Sequence, residues 1–268
     1  MNTLKTQNNQ KIGFCDSGVG GLTVYSKFRK ILDTEDCIFL GDLKHSPYGS
    51  KTKEQLIGYS QNVFDFFKSK GVKAVVMACN TTSATTYPLL RDKYSFKIYP
   101  IIQSCAKIIS GLGYSKIGVF ATESTVNSGV YVSEIHKYNQ SINIFTQSCP
   151  EWVSIVENHI QYEKTSKDII KKYLDIMMKN NPEKIILGCT HYPYLVDVMK
   201  EFVPEDVFID PADYFVEYIK SDLKQSGLLN PQAKKGSEEF FVSANPDEFK
   251  IASEMFYSVS NVSLYNMI

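Results

Sequence analysis

Along this chain, short apolar runs alternate with longer stretches whose apolar residues recur at helical spacing. The runs Lys11 to Cys15, Cys37 to Leu40, Ala74 to Ala78 and Ile98 to Ile102 are followed by Lys116 to Ala121, Ile142 to Thr146, Lys184 to Gly188, Val207 to Ile209 and Phe240 to Val242. Runs of this kind, bounded by small and polar residues, read as strands of a parallel sheet. Between them Leu56, Ile57, Val63, Phe64 and Phe67 share one face of a helix predicted over 54–70, and Ile169, Ile170, Tyr173, Leu174 and Met177 share one over 166–179. Further helices are predicted over 22–32, 80–94 and 211–226, before Tyr138, after Cys149, before Phe202 and after Asn245-Pro246, an N-cap with proline at the first helical position. Thr122 to Ser128 reads as a polar loop and cap, and Phe240 to Val242 as the last strand. Strands alternating with helices predict an α/β fold of mainly parallel sheets flanked by helices.

Two strand ends look like versions of one another. Ala74-Val-Val-Met-Ala runs into Cys79-Asn80-Thr81, and Lys184-Ile-Ile-Leu-Gly runs into Cys189-Thr190-His191. Ligands in open α/β sheets bind beyond the carboxyl ends of the strands. Each cysteine therefore falls where a strand meets a crevice. One lies in each half of the chain, which predicts two similar α/β domains with the active site in the cleft between them. The chain is expected to leave the first domain near residue 98.

Composition narrows the classes. With 268 residues and 43% hydrophobic content, the chain supports one large domain or two small ones. Its 29 basic and 29 acidic side chains cancel, so no net field favours nucleic acid or a membrane surface. Met1 to Gln10 is polar, without the apolar core of a signal peptide, and no apolar run approaches a membrane span. The expectation is a cytoplasmic enzyme or binding protein. The six cysteines are widely spaced, without CxxC or paired metal-ligand spacing, so neither a disulfide framework nor a zinc site is expected. Taken singly, a cysteine such as Cys37 reads as a small buried hydrophobe.

The remaining polar residues at strand ends decide what two thiols would do. A thiolate is a base as well as a nucleophile, and helix N-termini lower its pKa. Both cysteines precede predicted helices, so lowered thiols are expected. Two such groups on opposite faces of one carbon can invert it, one removing a proton while the other delivers one. The carbanion needs preorganised donors. Asn80, Thr81, Thr190, Ser17 and the Tyr48-Gly49 backbone are available. Asp16 and His191 fall at the strand ends that would manage the protons of Cys79 and Cys189, although a helix-start histidine can also be satisfied by backbone. Asp16-Ser-Gly-Val-Gly-Gly21 suits a carboxylate better than a dinucleotide, since GxGxxG is not matched. Pro47-Tyr48-Gly49 sets a tight turn. Glu157, by pattern alone, reads as a surface charge.

The segments Asp16-Ser-Gly-Val-Gly-Gly21, Gly41-Asp42 with Pro47-Tyr-Gly49, Ala78-Cys-Asn-Thr81 and Gly188-Cys-Thr-His-Tyr-Pro193, in this order, resemble the bacterial glutamate racemases of the cofactor-independent aspartate/glutamate racemase superfamily. The resemblance spans nearly the whole chain. It implies interconversion of L- and D-glutamate for peptidoglycan synthesis, without cofactor or metal, with Cys79 and Cys189 as the acid/base pair. It implies substrate contacts at Asp16, Ser17, Tyr48, Gly49, Asn80, Thr81, Thr190 and His191, and auxiliary carboxylates at Asp42 and Glu157. It also implies a homodimer, and a second domain (99–209) inserted in a first made of 1–98 and 210–268. Departures are Leu43-Lys44-His45-Ser46, where the family usually carries Ala-Arg, an absent proline turn near Gln103, and Asp210-Pro-Ala-Asp213 for a common Asp-Ser-Gly. The competing readings are a racemase for aspartate or another acidic amino acid, a non-catalytic small-carboxylate binder, and a redox dithiol.

Overall fold

The computed structural model describes residues 8–267. Most of the polar N-terminal stretch, from which no signal peptide was expected, lies outside the described residues. Ten strands form two parallel sheets. Strands β1 (Ile12–Asp16), β2 (Cys37–Gly41), β3 (Ala74–Met77), β4 (Lys97–Pro100), β9 (Glu238–Val242) and β10 (Val262–Leu264) make a six-stranded sheet ordered β10-β9-β2-β1-β3-β4. Strands β5 (Lys116–Ala121), β6 (Asn143–Ser148), β7 (Lys184–Gly188) and β8 (Phe208–Ile209) make a four-stranded sheet ordered β6-β5-β7-β8. All pairings are parallel, and the central strands β1, β2, β3, β5 and β7 are buried along nearly all of their length.

The strand orders reverse direction between β1 and β3 in the larger sheet and between β5 and β7 in the smaller. Open α/β sheets form their crevices at such switch points. Register then fixes what stands there. Cys15 pairs with Met77 and Asp16 with Gly41, so Asp16, Asp42 and Cys79 emerge along one edge. Ala121 pairs with Gly188, so Thr122 and Cys189 leave the smaller sheet side by side.

Aromatic packing holds each sheet to its helices. Phe14 meets Tyr25 and Phe28 of the Leu22–Ile31 helix edge-on, and Tyr25 also meets Phe39. Under the smaller sheet, fully buried Trp152 packs on Phe120, Tyr173 and Tyr192. Edge-on pairs add about 0.5–1.5 kcal/mol beyond area burial. The Ile101–Ser110 and Pro211–Gln225 helices, which flank the two chain crossings between sheets, pack on each other.

Several elements differ from the sequence expectation. The fourth strand stops at Pro100, which has no N–H to continue a ladder, and Ile101 opens a helix burying Ile101, Ile102, Cys105, Ala106 and Ile109. Thr122 to Ser128 is not a loop. Thr122 caps a helix over Glu123–Ser128 that ends at left-handed Gly129. The helix expected over 80–94 is two short ones, Asn80–Thr85 and Tyr87–Leu90. At the break Thr85 and Thr86 hydroxyls bond back to the carbonyls of Thr81 and Thr82, and Pro88 follows. Asn245 precedes the Pro246–Ser253 helix without a side-chain cap bond, its backbone being left-handed. A tenth strand follows the one expected to be last. All six cysteines are free and buried.

Candidate active site

Cys79 stands two residues beyond β3 as the N-cap residue of the Asn80–Thr85 helix, and Cys189 directly follows β7. The two cysteine turns are bridged by side chains: Asp16, at the end of β1, takes the Thr190 hydroxyl next to Cys189, and Tyr131, packed against Gly188, donates to Asn80 next to Cys79. Each cysteine is only 7% exposed.

The loop after β1 closes on the Cys189 turn. Asp16 accepts from the Gly18 amide at 3.0 Å, from the Thr190 hydroxyl at 3.3 Å and from Ser17 Oγ at 3.5 Å. Thr23 Oγ1 donates to the Thr190 carbonyl at 2.8 Å. A side chain at position 20 would meet His191 Nδ1 at 2.6 Å, which explains a glycine there. The Asp16 loop and the second cysteine turn thus form one hydrogen-bonded unit, although they are far apart in sequence.

His191 is not satisfied by backbone. Its Nε2 lies 3.1 Å from Glu157 Oε1 and its Nδ1 lies 3.8 Å from Cys189 Sγ. Burial works against the imidazolium, yet the hydrogen-bonded Cys189 and Glu157 outweigh it and hold His191 up to about 10. Glu157, half-buried, is therefore the partner of a site histidine rather than an isolated surface charge. The series Glu157–His191–Cys189 is that of an oriented acid/base group.

The Cys79 side lacks an imidazole. Burial pushes the Cys79 thiol up to about 12, Asp16 adds to the rise, and bonds from Thr82 oppose it. The lowering expected from a helix N-terminus is thus outweighed, because a six-residue helix offers little against loss of water. Burial also raises Asp16, to about 6, against the pull of His191, Gly18 and Thr190.

Other expected residues flank this pair. Asp42 is fully buried and its oxygens are taken by Tyr48 OH at 2.6 Å, Ser243 Oγ at 2.6 Å and His45 Nδ1 at 2.8 Å. Asp42 thus fixes the Tyr48-Gly49 turn, and the structure gives it no contact with either cysteine. Thr81 Oγ1 meets Thr122 Oγ1 at 2.9 Å, joining the two sheets' loops. Gly49 abuts Thr122, and an open cleft of about 580 Å³ lined by Gly49, Thr85, Glu123 and Asn127 adjoins this joint. Asn80 accepts from Tyr131 OH at 2.7 Å. The sequence reading missed Thr122, Ser243, His45 and Tyr131. Thr122 stands at a strand end like the cysteines, so the strand-end rule applied to β5 would have found it; the other three carry no local signal. Among the described residues no cluster of three or more His, Cys, Asp or Glu is arranged to hold a metal ion, and no helix is long and apolar enough to cross a membrane.

Fold and site together define a class of protein: a two-sheet α/β chain with a thiol just beyond the switch point of each sheet, the two thiol-bearing turns bridged by buried polar side chains. Residues 12–219 match the Asp/Glu/Hydantoin racemase family, and the chain belongs to that family. It is 34% identical over 253 residues to a glutamate racemase of Carboxydothermus hydrogenoformans, covering 94% of each chain. It is 37% identical over 257 residues to glutamate racemase 2 of Caldanaerobacter subterraneus, covering 92% of this chain and 93% of that one. A crystal structure of glutamate racemase from Francisella tularensis in complex with D-glutamate superposes with a TM-score of 0.90 at 30% identity, covering 97% of this chain and 98% of that one.

Proposed function

We propose that this chain is an isomerase that interconverts L- and D-glutamate by two-thiol proton transfer, supplying D-glutamate for peptidoglycan. The observation that carries the reading is the pair of cysteines just beyond β3 and β7, their turns bridged by Asp16 and Tyr131, which we read as two sides of one enclosure with donors for a carboxylate. One sulfur, as thiolate, takes the α-proton. The C–H electron pair stays on the substrate and spreads into its carboxylate, stabilised by the Asn80, Thr81 and Thr190 donors. The other sulfur, as thiol, gives its proton to the opposite face and is left as thiolate. The enzyme is then poised for the opposite enantiomer. Asp16 and His191 return each sulfur to its starting state by proton exchange with solvent. The substrate ammonium, seated near Asp16, would offset the burial that keeps Cys79 protonated.

No step in this sequence calls for an organic cofactor or a metal. The division expected from sequence is 1–98 with 210–268 and 99–209; because β4 (Lys97–Pro100) belongs to the larger sheet, we read the first crossing after Pro100 and the return after β8. The substrate-sized side chain reads as glutamate because the relatives spanning the chain carry that name. The test is incubation of each glutamate enantiomer in heavy water. Racemisation with deuterium at the α-carbon, insensitive to chelator, is expected. Binding without α-proton exchange would leave a carboxylate-binding protein instead, and faster turnover of aspartate would reassign the substrate.

A further inference from the structure

One buried side chain touches both cysteine-bearing strand ends, and it is Tyr131, at the start of the Val130–His136 helix of the second half. Its hydroxyl donates to Asn80 Oδ1 at 2.7 Å, one residue after Cys79. Its ring carbon Cε2 lies 3.0 Å from where a Cβ at Gly188 would stand, one residue before Cys189. Tyr131 is 3% exposed, and the glycine at 188 leaves room for its ring.

The other end of the Asn80 carboxamide shows what this contact is for. Asn80 is itself 3% exposed, yet its Nδ2 has no hydrogen-bond partner. Buried N–H groups are almost always paired, and leaving one unpaired is costly. A phenol that donates to Oδ1 fixes which end of the carboxamide faces Tyr131 and so turns the two amide N–H bonds away from it. Turned the other way, the amide would offer its oxygen and repel a carboxylate.

We propose that Tyr131 is a positioning residue that fixes the Asn80 amide donor-outward, toward the carboxylate of an acidic amino acid, while its ring spaces Asn80 from the Cys189 turn. This rests on the reading that the enclosure takes such a substrate. The phenol's own ionisation plays no part. Burial raises it well above the ordinary tyrosine value, so it remains a donor.

The test is a double-mutant cycle on the full chain, read by calorimetric titration with D-glutamate and, separately, by KM and kcat for racemisation. Tyr131→Phe removes one oxygen and is expected to weaken binding about tenfold, raising KM with a smaller effect on kcat. Asn80→Ala is expected to weaken it at least as much. The double variant is expected to match Asn80→Ala alone within about twofold, because Tyr131 acts through Asn80. Effects that multiply, or a Tyr131→Phe variant with unchanged affinity, overturn the proposal. Should Tyr131→Phe fail to fold, a structure of the wild-type complex decides. Asn80 Nδ2 is expected on a ligand carboxylate oxygen, and an amide turned from the ligand refutes it. A wild-type chain that binds D-glutamate without racemising it would sink the activity and leave this coupling measurable.

Discussion

The two cysteine ends share a sequence pattern and differ in what surrounds them. Cys189 has a nitrogen base within its own turn, oriented from behind by Glu157. Cys79 has only a carboxylate and hydroxyl and backbone donors from its own helix, and burial holds it as a thiol. The difference teaches that the halves are not mirror images, even though the proposed reaction treats the two faces of its carbon alike. Each sulfur must be able to hold or release a proton, but the chain sets an imidazole beside Cys189 and the Asp16 carboxyl near Cys79. Asp16 also binds Thr190, so the tuning of one side is tied mechanically to the other.

Removing either sulfur gives the largest effect. Cys79→Ser and Cys189→Ser are each expected to lower kcat by about 10²–10⁴-fold, the range for a positioned acid or base. Circular dichroism and thermal unfolding should be little changed, since serine is close to cysteine in volume. Near-full activity in either variant would remove that residue from the mechanism.

His191→Asn breaks the asymmetry selectively. A loss of about 10²-fold is expected, with the α-deuterium isotope effect rising for one enantiomer only, the one whose proton passes through Cys189. Equal changes for both enantiomers would mean that His191 serves binding instead. The linkage sign is also fixed. The folded chain holds His191 above its ordinary value, so the stability it contributes is fully present below about pH 6.5 and is lost as pH rises through about 10. Asparagine should remove that alkaline decline in urea midpoints.

Much of this contrast was legible in the sequence, and the illegible part has a physical pattern. The strands that deliver Asp16, Cys79 and Cys189 were plain because fully buried parallel strands write themselves as uninterrupted apolar runs. What stayed hidden depends on contacts between distant segments. Glu157 looks like any helix-end carboxylate until His191 is folded against it. The thiol of Cys79 was expected to be lowered by its helix, and burial, which no local pattern states, reverses the sign. The Ile101–Ser110 helix was masked because Ile101 and Ile102 extend the apolar run of β4, and only Pro100 marks the change. Thr122 reads in sequence as part of a polar loop and cap; the capping holds, through the Thr125 amide, but the residues after it form a helix.

Asp16 gives the smallest and most discriminating prediction, because stability and activity should move in opposite directions. Burial raises its folded pKa to about 6. Between its ordinary value and about pH 6 the folded chain binds more protons than the unfolded one, so this group's contribution falls as pH rises through that window. Above it, the buried carboxylate is a standing cost. Asp16→Asn keeps the shape, and Thr190 can turn its hydroxyl to accept from the new amide. The variant should therefore be more stable than wild type by about 1–2 kcal/mol at pH 8 and no more stable at pH 4. Its turnover should nevertheless fall about tenfold, and the acid limb near pH 6 should disappear, if the ionised carboxylate relays protons to Cys79. An acid limb that persists in Asp16→Asn would assign that titration to another group. A variant destabilised at pH 8 would show instead that the Gly18 and Thr190 bonds, and not the charge, are what Asp16 provides.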